Sequence, residues 1–338
     1  MKNILPLLMI TVFFSLSAQE KITKDDVYFK SRKCYLKKDS SLFSGVYVAH
    51  HPTGLIKSEN SYKDGIKHGS HKRWYSDGNM KSEENFKNKR RHGAFRSFYI
   101  VKNGIKPNTM SKERFYKDGE KDSTHTAWYS NGNLKSIEQY NMGIIVGVGK
   151  LFHENGQLFT EMHFDSTGEI HGASSEWYPN GQIMSKSHYM NGNPDGLWQE
   201  WYENGQIRNE QSYKLRKWHG KLYRWNKEGK LLYETTFDNG TGVNRTFDDN
   251  DKKSFEGAYV EGMSDGVHKW WRDGKLSKEE HYVKGSREGT FKEWNKDGTL
   301  IKEKNYLNGK KHGMFKVYKK DGTLDYEEEY ENNKKVRK

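Results

Sequence analysis

The chain has 338 residues, of which 33% are hydrophobic and 14% aromatic, and its mean hydropathy is −1.10. So few aliphatic side chains would not fill the thick core of a compact domain of this length, whereas half-exposed Tyr and Trp rings suit a thin sheet. The formal net charge of +13 permits an anionic partner, and a single cysteine excludes both an internal disulfide framework and a multi-thiolate metal site.

The first residues have the three-part pattern of a secretory signal peptide. Lys2 supplies a positive charge, residues 4–16 form a short apolar stretch, and Ser17 and Ala18 are small residues where a signal peptidase would cut. The apolar stretch is too short to span a bilayer. We therefore expect residues 1–18 to be removed and the mature chain to be exported to the periplasm, the cell envelope or the medium. A retained membrane anchor is the alternative.

Residues 19–43 form a polar lead-in that contains Cys34, the single cysteine. We expect this segment to add an edge strand or a cap to the structure that follows it. The thiol of Cys34 is either passive or reactive, and the sequence leaves both open.

One unit of about 24 residues recurs twelve times between residues 44 and 333, and residues 195–213, DGLWQEWYENGQIRNEQSY, are its clearest copy. Each copy has four marker positions. The opening glycine is Gly45, Gly69, Gly93, Gly147, Gly172, Gly196, Gly220, Gly242, Gly266, Gly289 and Gly313, with Ser123 in the fourth copy. The first-strand aromatic is Trp74, Phe98, Trp128, Phe152, Trp177, Trp201, Trp225, Phe247, Trp271, Trp294 and Tyr318, with His50 in the first copy. The turn glycine is Gly54, Gly78, Gly104, Gly132, Gly156, Gly181, Gly205, Gly229, Gly274, Gly298 and Gly322, with Asp251 in the ninth copy. The closing aromatic is Tyr62, Phe86, Tyr116, Tyr140, Phe164, Tyr189, Tyr213, Phe237, Tyr259, Tyr282, Tyr306 and Tyr330.

Within a copy, apolar and polar residues alternate on both sides of a turn, which is the pattern of a β-hairpin. Asn204 and Gly205 are the residues with positive φ that a two-residue hairpin turn prefers, and alternation predicts Ile183 and Tyr189 on one face of their strand. We therefore predict an all-β fold, an extended antiparallel β-meander of about twelve tandem hairpins, in which neighbouring copies stack aromatic on aromatic. Residues 334–338 form a basic tail after it.

The third copy is longer than the others because of an insertion at residues 99–116. Pro107 lies in the excess, which predicts a loop rather than a longer strand. Inserted loops of this kind carry function in some proteins and are neutral in others, so both interpretations are open.

The unit Asp-Gly-Leu-Trp-Gln-Glu-Trp-Tyr-Glu-Asn-Gly-Gln-Ile, residues 195–207, resembles the variant MORN repeat of bacterial proteins in the YwqK antitoxin family. The resemblance covers nearly all of the chain after Gly45. It implies β-hairpin units in an extended sheet and roles in binding partner proteins or membranes. The antitoxin relationship would imply a cytoplasmic protein that neutralises a toxin, whereas the predicted signal peptide implies an exported scaffold.

No motif in the sequence indicates catalysis. The glycines are spaced by repeat and do not cluster ahead of a helix to hold a phosphate. Five histidines precede an opening glycine, whereas other copies have Ser, Asp, Val, Thr or Glu there, which indicates support of a turn rather than a metal site. These histidines are His68, His92, His171, His219 and His312. Glutamates recur once per copy as a solvated row, so we predict no enzyme, no cofactor and no metal.

Basic clusters lie between copies, at residues 89–91, 214–217 and 310–311 and in the tail. In a meander these connections share one edge, which could contact anionic lipid headgroups or surface glycans. Nucleic acid is an improbable partner for an exported chain. The alternative is that the lysines keep exposed strands and turns from associating.

A second row of aromatic side chains predicts a binding surface for a partner protein or an envelope component. One position past the first-strand aromatic are Tyr75, Tyr99, Tyr129, Tyr178 and Tyr202, and alternation places Phe95 and Trp198 on the same face. Later copies have Asn, Asp, Arg or Lys at the tyrosine position, so we expect this aromatic face to extend over copies two to seven and stop. Exposed aromatic patches of limited extent are typical of partner sites. The alternative is local thickening, with the lead-in or the third-copy loop folded over these tyrosines.

Overall fold

The computed structural model describes residues 21–102 and 104–336, and the regular structure of these residues consists of strands only. The predicted signal peptide, residues 1–18, and the last two residues of the basic tail lie outside the described residues. Within the described part of the chain, no helix is long and apolar enough to cross a bilayer. Two compact units divide these residues: 21–102, 104–133 and 140–143 form the first, and 134–139 and 144–336 form the second.

The first unit is built from ten strands. They are β1 (Lys21–Ile22), β2 (Val27–Lys30), β3 (Lys33–Leu36), β4 (Gly45–His50), β5 (Ile56–Lys63), β6 (Ile66–Trp74), β7 (Met80–Lys87), β8 (Arg90–Phe98), β9 (Met110–Lys117) and β10 (Glu120–Trp128). From β4 to β10, each strand pairs antiparallel with the next, so every copy is a hairpin that pairs with its neighbour. β1 lies parallel to β4.

The second unit continues the same pattern. Its strands are β11 (Leu134–Asn141, which ends in the first unit), β12 (Ile144–Ile145), β13 (Gly147–Phe152), β14 (Leu158–Phe164), β15 (Ile170–Trp177), β16 (Ile183–Met190), β17 (Asn193–Pro194), β18 (Gly196–Trp201), β19 (Ile207–Lys214), β20 (Lys217–Trp225), β21 (Leu231–Phe237), β22 (Gly242–Phe247), β23 (Lys253–Val260), β24 (Met263–Arg272), β25 (Lys275–Val283), β26 (Ser286–Arg287), β27 (Gly289–Trp294), β28 (Leu300–Leu307), β29 (Lys310–Tyr318), β30 (Leu324–Glu331) and β31 (Lys334–Lys335). Antiparallel pairing connects β13 through β21 and, separately, β22 through β31. The predicted all-β meander of repeated hairpins is confirmed.

The turn in the middle of most copies is longer than predicted; the tenth copy has a two-residue turn at Asp273 and Gly274 (φ 51° and 80°), around which Arg272 pairs with Lys275. In residues 202–206 the N–H of Gly205 donates to the carbonyl of Tyr202 (2.9 Å), the N–H of Tyr202 donates to the carbonyl of Gln206 (2.8 Å), and Gly205 has φ 87° while Asn204 has no positive φ. This is a type I turn followed by a left-handed glycine. The two-residue turn predicted at Asn204 and Gly205 is therefore wrong. The Asn204 side chain instead accepts the N–H of Gln206 (3.1 Å).

The two-residue turn occurs between copies. Asp64 and Gly65 both have positive φ (49° and 71°), and Lys63 pairs with Ile66 around them, which defines a type I′ turn. After the seventh copy the same two positions hold Leu215 and Arg216, with φ 48° and 71°. Non-glycine residues pay a steric penalty in this region, so this turn is strained.

A bulge in the second strand of each hairpin changes the expected faces. In β15 and β16, Glu176 pairs with Ser185 and Trp177 pairs with Ile183, so Met184 is an extra residue. The first strand alternates without interruption, so Ile183 lies on the face of Trp177, opposite to Ser185. Sequence alternation had placed Ile183 with Tyr189, and that prediction is wrong because the bulge intervenes.

The two faces therefore carry different aromatic rows, and we call the face of the closing aromatics the core face. Each closing aromatic pairs with the opening glycine of its own copy, as Phe86 does with Gly69. Two positions after that glycine is the second core-face row, in which His71 is buried and its ring centroid is 4.7 Å from that of Phe86 and 5.9 Å from that of Tyr62. Stacking along the sheet thus replaces the second layer that other β-folds pack against.

The lead-in packs against the first copy. Ile22, Val27, Cys34 and Phe43 form a buried cluster, with Tyr62 beside it. The Cys34 side chain is fully buried, and burial raises the pKa of its thiol to about 11. The thiol is therefore protonated at neutral pH, which favours the passive interpretation.

The antiparallel ladder is interrupted between β21 and β22, where one uninterrupted meander was predicted. Gly220 and Gly242 are 22 positions apart, whereas Gly196 and Gly220 are 24 apart, so the eighth copy lacks two residues at its inter-repeat turn. Only an isolated bridge between Asp238 and Thr241 joins the two strands. A local core fills this β21–β22 junction: Leu222, Tyr233 and Phe237 are buried, with Trp218, Phe247 and Tyr259 packed against them.

The insertion in the third copy lies in the loop between β8 and β9. The N–H of Tyr99 donates to the carbonyl of Thr109 (2.9 Å), which closes the loop at its base. β8 and β9 pair normally from Gly93 with Tyr116 to Phe98 with Met110. The extra residues therefore leave the strand ladder intact.

Candidate functional site

The tyrosine row, defined as Tyr75, Tyr99, Tyr129, Tyr178 and Tyr202, lies where each first strand enters its mid-repeat turn. All five side chains are half-buried. β18 pairs with β19 without a shift from Gly196 to Glu200, so the first strand alternates regularly up to its end. Tyr202, six positions after Gly196, is therefore on the core face, opposite Trp201.

The tyrosine hydroxyls connect neighbouring copies. Four of the five donate to the main-chain carbonyl of the next copy's first-strand aromatic: Tyr75 to Phe98 (2.9 Å), Tyr99 to Trp128 (2.8 Å), Tyr178 to Trp201 (2.8 Å) and Tyr202 to Trp225 (3.0 Å). Desolvation of these hydroxyls raises the pKa of Tyr75, Tyr178 and Tyr202. The polar end of each ring thus has a structural role that the sequence did not reveal.

Two histidines extend this set of donors. Nε2 of His51 lies 3.2 Å from the carbonyl oxygen of Trp74, and Nε2 of His153 lies 2.8 Å from that of Trp177. Sequence reasoning missed both residues because it selected aromatic rings and not hydrogen-bond donors. Counting one position past His50 and Phe152 would have found them.

Later copies stabilise the same turn without a tyrosine. Asn226 accepts the N–H groups of Glu228 (3.2 Å) and Lys230 (2.8 Å) with its side-chain oxygen, and Asp248 and Asn295 cap their turns in the same way. The fold therefore accepts a short Asn or Asp at this position, and a tyrosine ring is not required by the hairpin itself.

Phe95 and Trp198 belong to a different row from the tyrosines. They occupy the second position after an opening glycine, where His71 is found in the second copy. The Trp198 ring lies between those of Tyr189 (5.8 Å) and Tyr213 (5.4 Å). This row continues beyond the seventh copy as Phe291 and Phe315, so for these two residues the predicted end of the aromatic face is wrong.

The histidines before the opening glycines support turns. Nδ1 of His92, His171 and His219 accepts a main-chain N–H from the first residue of the following inter-repeat turn, at 3.4, 3.5 and 3.3 Å. Ser44 and Asp265 accept the equivalent N–H in their copies (2.8 and 3.0 Å). The predicted turn-supporting role is confirmed for these histidines. In the part of the chain that the structure describes, no group of three or more metal-binding side chains occurs.

The core face also buries ionisable groups. Glu84 is 3% exposed and lies 3.0 Å from Arg91 and 3.5 Å from Arg73, while Glu280 contacts Lys278 and Arg287 at 3.3 and 3.2 Å. A buried carboxylate with two cations is a structural ion pair rather than an acid–base couple.

Family comparison identifies the repeat. Seven segments match the family described as MORN repeat variant, at residues 67–88, 121–142, 145–166, 170–191, 194–215, 218–239 and 287–308. These seven copies of the hairpin are similar to that repeat. The match omits five copies: the first, the third with its insertion, the two that follow the β21–β22 junction, and the twelfth. No curated protein matches the chain.

Comparison with solved structures finds large toxin assemblies. The TcdB2-TccC3 crystal structure is 10% identical over 84% of this chain and 18% of that one, with a TM-score of 0.18. The crystal structure of TcdB2-TccC3-Cdc42 is 9% identical over 89% of this chain and 20% of that one, with a TM-score of 0.17. The structure of the Photorhabdus luminescens Tc holotoxin pore is 11% identical over 83% of this chain and 18% of that one, with a TM-score of 0.14. This chain spans about a fifth of those chains, and scores this low imply no common function.

Two recesses lie near the mid-repeat turns of the second unit, and residues of both faces line them. One, of about 590 Å³, is lined by Trp270, Trp271, Trp294, Lys278 and Glu293 among others. The other, of about 310 Å³, lies at the β21–β22 junction and is lined by Tyr202, Arg208 and Arg224. Both are open clefts between neighbouring repeats.

Proposed function

We propose that this chain is a non-enzymatic repeat scaffold that binds another protein or a component of the cell envelope through the tyrosine row of its core face. The observation that supports this is that five half-buried tyrosine rings occur at a position where Asn226, Asp248 and Asn295 serve the hairpin equally well. Retention of a large ring where a short side chain suffices indicates a use beyond folding.

The geometry of the row suits recognition. Four of the five hydroxyls are hydrogen-bonded to the next copy, so these rings are held in place and lose little entropy when a partner covers them. Lys81 and Arg208 lie over the rings of Tyr75 and Tyr202, at 5.4 and 5.6 Å from the ring centroids. A partner that offers apolar side chains beside carboxylates would match this surface.

The test distinguishes the contribution of the tyrosine ring to partner binding from that of its hydroxyl, and it is made separately in each of the two units. In the first unit Tyr75, Tyr99 and Tyr129 are replaced together by Phe or by Ser, and in the second unit Tyr178 and Tyr202. The control replaces Arg272 and Lys319, at the same repeat position, by Ser. Each protein is used to recover binding partners from the source's envelope fraction. A protein retained by wild type, control and Phe variants but lost from folded Ser variants supports the proposal.

The following result would contradict the proposal. If the Ser variants keep every partner that the wild type retains, while their melting temperatures fall steeply, the tyrosines serve only the fold and the proposal fails.

We also propose that the chain is exported, which the pattern of residues 1–19 supports. Fractionation with sequencing of the mature N-terminus tests this, and a chain that starts near Gln19 outside the cytoplasm is expected. An intact Met1 on a cytoplasmic protein would contradict export. It would favour the toxin-neutralising role that the antitoxin resemblance implies.

A second candidate function, binding of anionic membranes or glycans, is favoured by two inter-repeat turns. Lys89 and Arg216 have φ of 70° and 71° at a position where most copies have glycine, and both are exposed. Cations retained at a steric cost are often functional. Lys89→Gly and Arg216→Gly should weaken binding to phosphatidylserine vesicles or heparin while raising stability. Unchanged binding by these variants would reject this candidate.

A further inference from the structure

Arg224 is an arginine of the core face that has no direct ion pair. Its guanidinium donates to the side-chain oxygens of Asn209 (2.6 Å) and Asn244 (3.2 Å), its Nε is buried without a hydrogen-bond partner, and no carboxylate among the described residues lies within ion-pair distance. Desolvation lowers the pKa of this arginine. A guanidinium has five donors, so three remain unused by these two amides.

The second copy shows what this repeat position holds when the charge is compensated. Arg73 occupies the same position as Arg224, four residues after the opening glycine, and lies 3.5 Å from the buried Glu84. In the eighth copy the position of Glu84 is taken by Thr235. The carboxylate that acts on Arg224 is that of Glu200, which accepts from the side-chain amide of Asn209 (2.5 Å) and reaches the guanidinium only through that amide. Arg224 is therefore a partly desolvated guanidinium without a direct ion pair, and a carboxylate from outside could supply one.

The recess beside Arg224 has room and apolar walls for such a group. Its volume of about 310 Å³ is in the range of small-ligand sites, and Trp225, Leu232 and Phe247 line one side of it. Tyr202 and Thr246 add hydroxyl groups to the lining. An anionic head with an aliphatic or aromatic body fits this arrangement.

The charged residues that line the recess indicate which class of anion it would bind. Arg208, Arg224 and Lys227 contribute three positive charges, and Asp248 and Asp249 contribute two negative ones. The Asp248 carboxylate accepts the N–H groups of its own turn and is held there. A monoanion meets less repulsion from these two aspartates and from the nearby Glu200 than a dianion does, and a planar carboxylate matches the fork of a guanidinium.

We propose that the Arg224 recess is a carboxylate-binding site. Its ligand is either a small organic acid with an apolar body or a carboxylate on a peptide. The recess shares Tyr202 with the tyrosine row, but Arg224 and Thr235 lie outside that row, so substitutions at these two positions test the site separately from the proposed function.

The experiment uses the full chain and three probes: 3-phenylpropionate, a capped peptide with one glutamate flanked by leucines, and phenyl phosphate. Binding is measured by titration calorimetry and by the shift of melting temperature. We expect the carboxylates to bind more tightly than phenyl phosphate. The better of the two carboxylates identifies the source, organic acid or peptide.

Three variants locate the binding. Arg224→Met should weaken carboxylate binding at least tenfold and leave the melting temperature of the free protein unchanged or higher, since a desolvated charge is removed. The matched control, Arg73→Met, should bind the probe like wild type but melt lower, since it strips Glu84 of a counter-ion. Thr235→Glu places a carboxylate where the second copy has Glu84, and should raise the melting temperature and abolish probe binding.

The proposal is overturned if Arg224→Met binds the carboxylates as well as wild type does, or if it melts as low as Arg73→Met. Tighter binding of phenyl phosphate than of either carboxylate overturns the ligand class. If Arg224→Met fails to fold, Thr235→Glu decides: undiminished probe binding by that variant rejects the site.

Discussion

At the scale of single residues, backbone conformation determines much of this sequence. Most opening and turn glycines have φ between 70° and 101°, a backbone conformation that is strained for residues with a Cβ atom. The regular spacing of glycine therefore reflects the positions at which the backbone needs positive φ. Ser123 is the exception at the opening position and has φ 61°. Spacing alone predicted which glycines belong together, but not that they sit at positive φ in bulges, because a sequence does not show which strand carries an extra residue.

Ser123→Gly should therefore stabilise the protein. Glycine removes the steric penalty at φ 61°, and the expected gain in unfolding free energy is about 0.5–1 kcal/mol. Gly93→Ala is the matched control: no atom lies within 4 Å of the added Cβ, so its expected loss of about 1 kcal/mol arises from φ 82° alone. Urea unfolding of both variants is the measurement. A Ser123→Gly variant less stable than wild type would show that the serine hydroxyl matters more than φ.

His71 should make stability depend on pH. Burial lowers the pKa of its imidazole from 6.5 to about 4 in the folded state. Between these values the unfolded chain binds a proton that the folded chain does not, so the contribution is complete above pH 6.5 and is lost as pH falls from 6.5 to about 4. Its size is on the order of 3 kcal/mol.

The substitution His71→Phe tests this, because Phe95 and Phe315 occupy the same position in other copies. Urea unfolding from pH 7 to pH 4 should show a flatter dependence for the variant than for wild type. Equal slopes would mean that His71 is not the group that titrates.

At the scale of the hairpin, two turns with different chemistry alternate. In most copies the mid-repeat turn is a type I turn with a left-handed glycine and the inter-repeat turn is type I′; the tenth copy has a type I′ turn in its middle, and the turn at residues 165–169 is of the first kind. Alternation predicted the hairpins and the core-face position of the tyrosines correctly, because the first strand is uninterrupted. It failed for Ile183, because the bulge at Met184 lies in the second strand. It also missed the hydrogen bonds from Tyr75 and His51 to the next copy, which depend on distances between strands.

The Leu215-Arg216 turn should be a site of easy stabilisation. Replacing the pair by Asn-Gly, which is found at Asn191 and Gly192, should raise the free energy of unfolding by about 1–2 kcal/mol, since both residues have positive φ. The reverse exchange at Asn191 and Gly192 should lower it by a similar amount. Thermal and urea unfolding measure both. Loss of stability in the Asn-Gly variant would reveal a packing role for Leu215, whose side chain is 77% exposed.

At the scale of the whole chain, the β21–β22 junction divides the second unit. The two missing residues could be counted in the sequence as 22 positions between Gly220 and Gly242. The effect of this missing pair on strand pairing could not be predicted from the sequence, because a short turn is compatible with either a strained ladder or an interrupted one. In the structure the ladder is interrupted, and Phe237 and its neighbours pack at the junction.

Hydrogen exchange should locate this interruption. Amides of β21 and β22 that face the junction should exchange faster than the equivalent amides of β19 and β20, which are paired on both sides. Inserting Asn-Pro between Gly240 and Thr241, as follows Gly192, restores 24 positions and should slow that exchange. Equal protection of β19 to β22 in the wild-type chain would contradict an open ladder.

The mid-repeat turns and the inter-repeat turns differ in the changes of length that they tolerate. An insertion that separates Gly93 from Ser123 by 30 positions is absorbed at a mid-repeat turn with β8 and β9 still in register, whereas a loss of two residues at an inter-repeat turn parts β21 from β22. We therefore expect that a foreign peptide inserted at a mid-repeat turn leaves its host hairpin folded. Grafting an epitope into residues 101–108 and another into an inter-repeat turn would turn this asymmetry into a rule for engineering such arrays.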